Sequence, residues 1–262
     1  MRRSFGARHC DIRLPLSKRT HDKRDHRPYV DAADLRRARR LYRNLGGISG
    51  HNVRAYADLS AECAEIKFIT YLREPIARYR SHFLNRGLRY NRGDFDRWYA
   101  DVRLHNWQTK VVAGEPNAEK AIELIATHFG FVGLTERFDE SLLLLGDWLA
   151  EAEFRPEYQR LNQLADKRRP RDIAREKSDI GYLQLDEVRA QIREANAEDL
   201  KVYEYVTQTV YPRQVAAYVG DLVADLESLR ERNRRTRRLA EPKWGFFMRN
   251  YIYKPLLHCH LV

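Results

Sequence analysis

The stretch Ile66-Lys67-Phe68-Ile69-Thr70-Tyr71-Leu72-Arg73-Glu74-Pro75-Ile76-Ala77-Arg78-Tyr79-Arg80-Ser81-His82-Phe83 changes period halfway along its length. Residues 66–72 are rich in β-branched and aromatic side chains and read as a short buried strand. Pro75 suits the first position of a helix, where a missing N–H costs nothing. From Ile76 to about Asn85, the residues Ile76, Tyr79, Arg80 and Phe83 recur at three- and four-residue spacings, with Gly87 as the stop. A strand of this kind delivers Arg73 to the carboxyl end of a sheet, where ligand crevices form in open α/β folds. The first turn of the helix is expected to present free N–H groups, and Ser81 lies two turns in. An arginine fork and a serine hydroxyl meeting there would hold a phosphate monoester. The competing reading is an arginine salt-bridged at a helix start and a serine on a wet face.

Working outward, Asp34 to Tyr42 reads as a short basic helix capped by Asp34, after a first thirty residues without a durable period. Glycines and a serine at 46–50 end it. Helices are expected at Ala118–Phe129, Arg137–Glu153, Leu185–Asn196, Ala197–Val210 and Gln214–Leu229, with Pro212 as an interruption and Arg155–Lys177 as loop. Phe131–Leu134 is the second strand. The expected fold class is therefore α/β, a small parallel sheet flanked by helices.

The chain has 262 residues and a formal charge of +11, placed unevenly. Residues 1–43 carry 14 Lys/Arg against 5 Asp/Glu, and residues 228–262 carry 9 against 2, while the middle is net −5. This divides the chain into a basic extension (1–44), an α/β domain (45–227) and a basic aromatic tail (228–262). The basic ends suit an anionic polymer, an anionic lipid or simple solubility. Three cysteines, Cys10, Cys63 and Cys259, stand far apart without a C-x-x-C, which disfavours a disulfide framework or a cysteine zinc site. His258-Cys259-His260 lacks a second ligand pair, so no metal is expected. The absence of an eighteen-residue apolar run and of a signal segment gives a cytoplasmic expectation with no transmembrane segment.

Arg73, Pro75 and Ser81 resemble the 3′-phosphate-binding element of sulfotransferases that use 3′-phosphoadenosine 5′-phosphosulfate (PAPS), in which a strand ends in Arg, Pro lies two positions on and Ser eight. Gly50-His51-Asn52-Val53-Arg54, Asn106-Trp107-Gln108-Thr109-Lys110-Val111-Val112-Ala113-Gly114 and Phe131-Val132-Gly133-Leu134-Thr135-Glu136-Arg137-Phe138 look like the polysaccharide and uronosyl O-sulfotransferase branch. Asn196-Ala197-Glu198-Asp199-Leu200-Lys201-Val202-Tyr203 is similar to its late helix. The resemblance spans roughly residues 45–215. It implies a P-loop-NTPase-like sulfotransferase fold, with PAPS as sulfuryl donor and no metal. The acceptor would be a hydroxyl of a carbohydrate or another small molecule. In that reading Arg73 and Ser81 bind the 3′-phosphate, His51 is the general base, and Arg137 lies on the adenine side, where it is equally placed to serve as an ion-pair partner. Gln108 and Lys110 are candidates for the cleft lining, and Trp107 for its wall. A histidine suits the base role because its protonation equilibrium lies near neutrality.

The family's Pro-Lys-x-Gly/Ala-[Gly/Thr]-[Thr/Ser] loop, which wraps the 5′-phosphosulfate, is not found before residue 50, nor is a Walker A motif found anywhere. Met1–Gly6 resembles the end of the helix that follows such a loop, so the expectation is an N-terminally truncated version of the fold. Two alternatives stay open. One is a catalytically inactive remnant that binds a nucleotide or partner; the other is a basic nucleic-acid-associated protein.

Overall fold

The computed structural model describes residues 4, 8–10, 29–42, 44–63, 65–84, 95–150, 154–158, 181–235, 244, 247–253 and 255–256. Among them four strands pair two by two, each pair parallel: β1 (His9–Cys10) with β2 (Gly47–Ile48), and β3 (Phe68–Leu72) with β4 (Phe129–Leu134). The second pair runs in register from Ile69 opposite Phe131 to Leu72 opposite Leu134, after an irregularity at Phe68. The architecture is α/β with helices predominating.

Helix α1 (Ala32–Leu41) precedes β2. Its cap is Asp31, three residues before the expected one. Asp31 accepts from the Asp34 N–H at 2.9 Å, and the Asp34 side chain reaches back to the Asp31 N–H at 3.4 Å. The two acids form a reciprocal capping box in which Asp34 is the inner partner. The connection between β3 and β4 carries α2 (Pro75–His82), α3 (Phe95–Tyr99), a 3₁₀ turn (Val102–Leu104), α4 (Trp107–Ala113) and α5 (Ala118–His128). Gly87, the expected stop of α2, lies outside the described residues.

β4 is buried from Phe131 to Leu134 because α5, α6 (Phe138–Leu149) and a later helix pack on it. This explains its continuous apolar run in place of alternation. A Cβ at Gly133 would run into the Tyr71 ring, and one at Gly130 into the Trp148 ring, so both glycines are where aromatic side chains cross the strand. The core around β3 and β4 takes in Leu72, Val112, Ile125, Leu145, Val202 and Val206.

The C-terminal half brings α7 (Asp186–Ala195), α8 (Ala197–Tyr205) and a π-helical segment (Val206–Val210) leading directly into α9 (Tyr211–Ala216). Pro212 therefore does not interrupt the helix. The wider π turn ahead of it accommodates the missing N–H and the ring, and Pro212 sits in the first turn of α9. The break comes later, at residues 217–221, where Asp221 caps α10 (Leu222–Arg235) by accepting from the Val223 and Ala224 N–H groups. Most of the stretch 155–177, expected to be loop, lies outside the described residues. Packing crosses the divisions expected near residues 44 and 228. Cys10, Val30, Ala38 and Tyr42 form one buried cluster joined by Leu45, Ile48 and Val53, and α10 runs through residue 228 with Leu229 fully buried.

Candidate functional site

The carboxyl end of β3 opens beside a cleft of about 480 Å³. Its wall comes from the end of β3 (Thr70 to Arg73), from Arg78, Ser81 and His82 of α2, from Trp107, Gln108, Val111 and Val112 of α4, and from His51. Three of the four residues singled out in the sequence, His51, Arg73 and Ser81, thus line one cavity. Arg137 does not line it. It follows β4 in a 3₁₀ turn, pairs with Glu140 at 3.2 Å and lies over the Tyr211 ring at 5.6 Å. Of the helix α4 candidates, Trp107 and Gln108 line the cleft. Lys110 instead donates its ammonium to the Val102 carbonyl at 2.8 Å, and burial lowers its proton affinity.

The helix start differs from the expectation that its amides are free. Glu74 turns its own carboxylate onto them, accepting from the Ile76 N–H at 3.1 Å and the Ala77 N–H at 2.6 Å. A carboxylate there satisfies the orphan donors and the positive end of the helix together. An anion in the cleft would have to be held by side chains of α2 and not by its N-terminus.

Those side chains include two that the sequence reading passed over. Arg78 and His82 sit on α2 three residues before and one after Ser81, and both face the cleft. The spacing of Arg78 from Ser81 (i, i+3) and from His82 (i, i+4) was the available signal. Arg78 is largely buried. One guanidinium nitrogen donates to the Leu104 carbonyl at 3.4 Å, and its Nε has no hydrogen-bond partner among the described residues. Burial lowers its proton affinity, opposed by the charges of Asp199 and Tyr79, while the neighbouring Arg73 lowers it further. Among the described residues no ion pair engages Arg73 or Arg78, and no carboxylate lines the cleft. Two arginines, two histidines and a hydroxyl face this cavity, a set whose charge and donors suit an anion with several oxygens.

Three polar contacts fix this wall. Gln108 clasps the Arg73 backbone, its Oε1 accepting from the Arg73 N–H and its Nε2 donating to the Arg73 carbonyl, both at 2.8 Å. Glu136, just past β4, accepts from the Glu74 N–H at 2.8 Å, tying the two strand ends together. The third contact is a reciprocal cap between α4 and α8. Asn106, in left-handed backbone at φ 46°, accepts from the Glu198 and Asp199 N–H groups at 2.9 and 3.3 Å. Asp199, 1% exposed, accepts in return from the Gln108 N–H, the Thr109 N–H and the Thr109 hydroxyl at 3.1, 2.7 and 2.7 Å.

Among the described residues no group of three His, Cys, Asp or Glu side chains is placed to hold a metal ion, and His258-Cys259-His260 lies outside them. No described helix is long and apolar enough to cross a membrane. No protein-family model, no curated protein and no solved structure matches this chain.

Proposed function

We propose that the cleft binds the 3′-phosphate of PAPS and that the chain transfers its sulfuryl group to the hydroxyl of a carbohydrate or another small acceptor. The observation that carries this reading is the meeting of Arg73, Ser81 and His51 in one cavity that no carboxylate lines among the described residues. Arg73 and Arg78 supply the charge and the fork geometry for a phosphate monoester, and the Ser81 hydroxyl adds a neutral hydrogen bond. The fold supports the reading only at its coarser level, as an α/β chain with a parallel strand pair in which the carboxyl end of β3 borders the cleft.

In the proposed reaction the acceptor oxygen attacks sulfur as its proton passes to an imidazole nitrogen of His51. A new S–O bond forms while the bond from sulfur to the 5′-phosphate oxygen breaks, leaving adenosine 3′,5′-bisphosphate with the electron pair on that oxygen. Cationic groups in the cleft favour the charge that builds on the departing bisphosphate. Arg137, held by Glu140 and Tyr211, acts in this account as a structural residue beside β4.

The test is transfer of labelled sulfate from PAPS to a panel of hydroxylated acceptors. Turnover abolished in His51→Ala, with bisphosphate binding retained, is the expected result. Binding without turnover in the unaltered chain supports the nucleotide-binding remnant instead. Duplex or RNA binding that survives Arg73→Ala, with no bisphosphate binding, supports the nucleic-acid reading.

A further inference from the structure

The aromatic residues near the C-terminus form a surface that the cleft does not use. Trp244, Phe247 and Tyr251 follow one another in the sequence at spacings of three and four. Their rings stack in a row, Trp244 on Phe247 at 6.0 Å and 23°, and Phe247 on Tyr251 at 5.4 Å and 28°. They are 68%, 45% and 63% exposed. Two residues past Tyr251, on the opposite side of the π-helical turn (Met248–Tyr253), Tyr253 packs on the buried ring of Tyr42 at 4.3 Å. One side of the segment is therefore anchored to the domain, while the other offers three aromatic rings to solvent.

The charge of the same stretch says what would cover it. After Glu241 the sequence holds Lys243, Arg249 and Lys254 and no further acid, within a tail that carries 9 Lys/Arg against 2 Asp/Glu. A row of Trp, Phe and Tyr among basic residues is the composition of a segment that lies in the headgroup region of an anionic bilayer. A second copy of this chain would bring like charge to like charge. Bases of single-stranded nucleic acid need open ring faces, and here the facing ring surfaces are occupied by one another. We propose that the Trp244–Phe247–Tyr251 row docks the protein peripherally on anionic lipid surfaces. The proposal is independent of the reading of the cleft.

The test is co-sedimentation of the full chain with vesicles of phosphatidylcholine alone and of phosphatidylcholine mixed with phosphatidylserine, together with a Trp244→Ser/Phe247→Ser/Tyr251→Ser variant. The expected result is binding to the phosphatidylserine vesicles that weakens with salt and falls about tenfold or more in the variant. The variant's thermal unfolding should be unchanged, since all three rings are exposed. A variant of lowered stability is replaced by the single changes Trp244→Ser and Tyr251→Ser, each expected to weaken sedimentation. The proposal is overturned by absent sedimentation, by equal binding to both vesicle types, or by variants that bind as well as the unaltered chain. Concentration-dependent dimerisation lost in the variant, without vesicle binding, would assign the row to a second copy instead.

Discussion

Gln108 holds Arg73 by its backbone and not by its side chain: both halves of the amide are spent on the Arg73 N–H and carbonyl, each at 2.8 Å. The side-chain amide thereby does for the end of β3 what a neighbouring strand would do, and leaves the guanidinium to the cleft. Gln214 repeats the device on β4, accepting from the Val132 N–H and donating to its carbonyl, both at 2.9 Å. The short sheet is thus extended on each strand by a glutamine drawn from a helix.

Gln108→Leu removes both bonds while roughly preserving volume, leaving a backbone donor and acceptor unpaired at the cleft wall. The expected cost is about 1–3 kcal/mol of unfolding free energy in denaturant titration. Affinity for adenosine 3′,5′-bisphosphate should fall even though no side chain proposed to touch the ligand has changed. Unaltered affinity would show that the backbone of Arg73 is positioned without Gln108.

The reciprocal cap predicts an ordering of variants at Asn106. Asn106→Ala loses the acceptor for the Glu198 and Asp199 N–H groups and also puts a Cβ-bearing residue without a local hydrogen bond at φ 46°. Asn106→Gly loses only the acceptor. Glycine should therefore be the milder change, by about 1 kcal/mol. Equal stabilities by thermal or chemical unfolding would contradict the account of this turn.

Asp199→Ala should be among the more damaging single changes outside the apolar core. It strips partners from two backbone N–H groups and a hydroxyl at the buried start of α4, and takes away the charge that offsets the burial of Arg78. A loss of about 2 kcal/mol or more is expected by denaturant titration. Ser, which keeps a short acceptor, should recover part of it.

Alkaline stability follows from the buried tyrosines. Burial raises the proton affinity of Tyr71, Tyr79 and Tyr211 above the ordinary value of 10.0, and raises that of Tyr203 to about 12, with the adjacent Glu136 adding to the effect. The folded state holds these protons more tightly than the unfolded state. Their contribution is thus fully present below pH 10 and is lost as pH rises through the folded values. Phenolate absorbance should show a fraction of the tyrosines ionising only together with unfolding. Ionisation of all fifteen tyrosines near pH 10 with the fold intact would contradict the burial described.

Strands β3 and β4, the helix start at Pro75 and the grouping of Arg73 with Ser81 were legible in the sequence because each rests on neighbours within about one or two turns, whereas the two-residue strands β1 and β2 fell in stretches read as loop and break. The Phe68–Leu72 run, the proline and the three- and four-residue spacings are local signals. What stayed hidden depends on chain segments distant in sequence. Glu74 satisfying the amides of α2 looks, in one dimension, like any acid before a proline. Arg78 falls outside the series Ile76, Tyr79, Arg80 and Phe83, and its burial and its contact with the Leu104 carbonyl, twenty-six residues on, are set by tertiary packing. The reciprocal contact of Asn106 with Asp199 spans more than ninety residues. The continuation of helix through Pro212 needed the π turn that precedes it, for which the residues Val206–Val210 carry no local signature. The basic first forty-four residues looked like an extension because Cys10, Val30 and Tyr42 are too far apart to show that they share one apolar cluster.

The most direct test of the central claim is calorimetric titration of adenosine 3′,5′-bisphosphate into the unaltered chain, with Arg73→Ala, Ser81→Ala and adenosine 5′-monophosphate alongside. The account predicts binding to the unaltered chain that is lost in Arg73→Ala, weakened about tenfold in Ser81→Ala, and much weaker for the nucleotide lacking the 3′-phosphate. Failure of a folded, unaltered chain to bind the bisphosphate, or equal binding of both nucleotides, would contradict it.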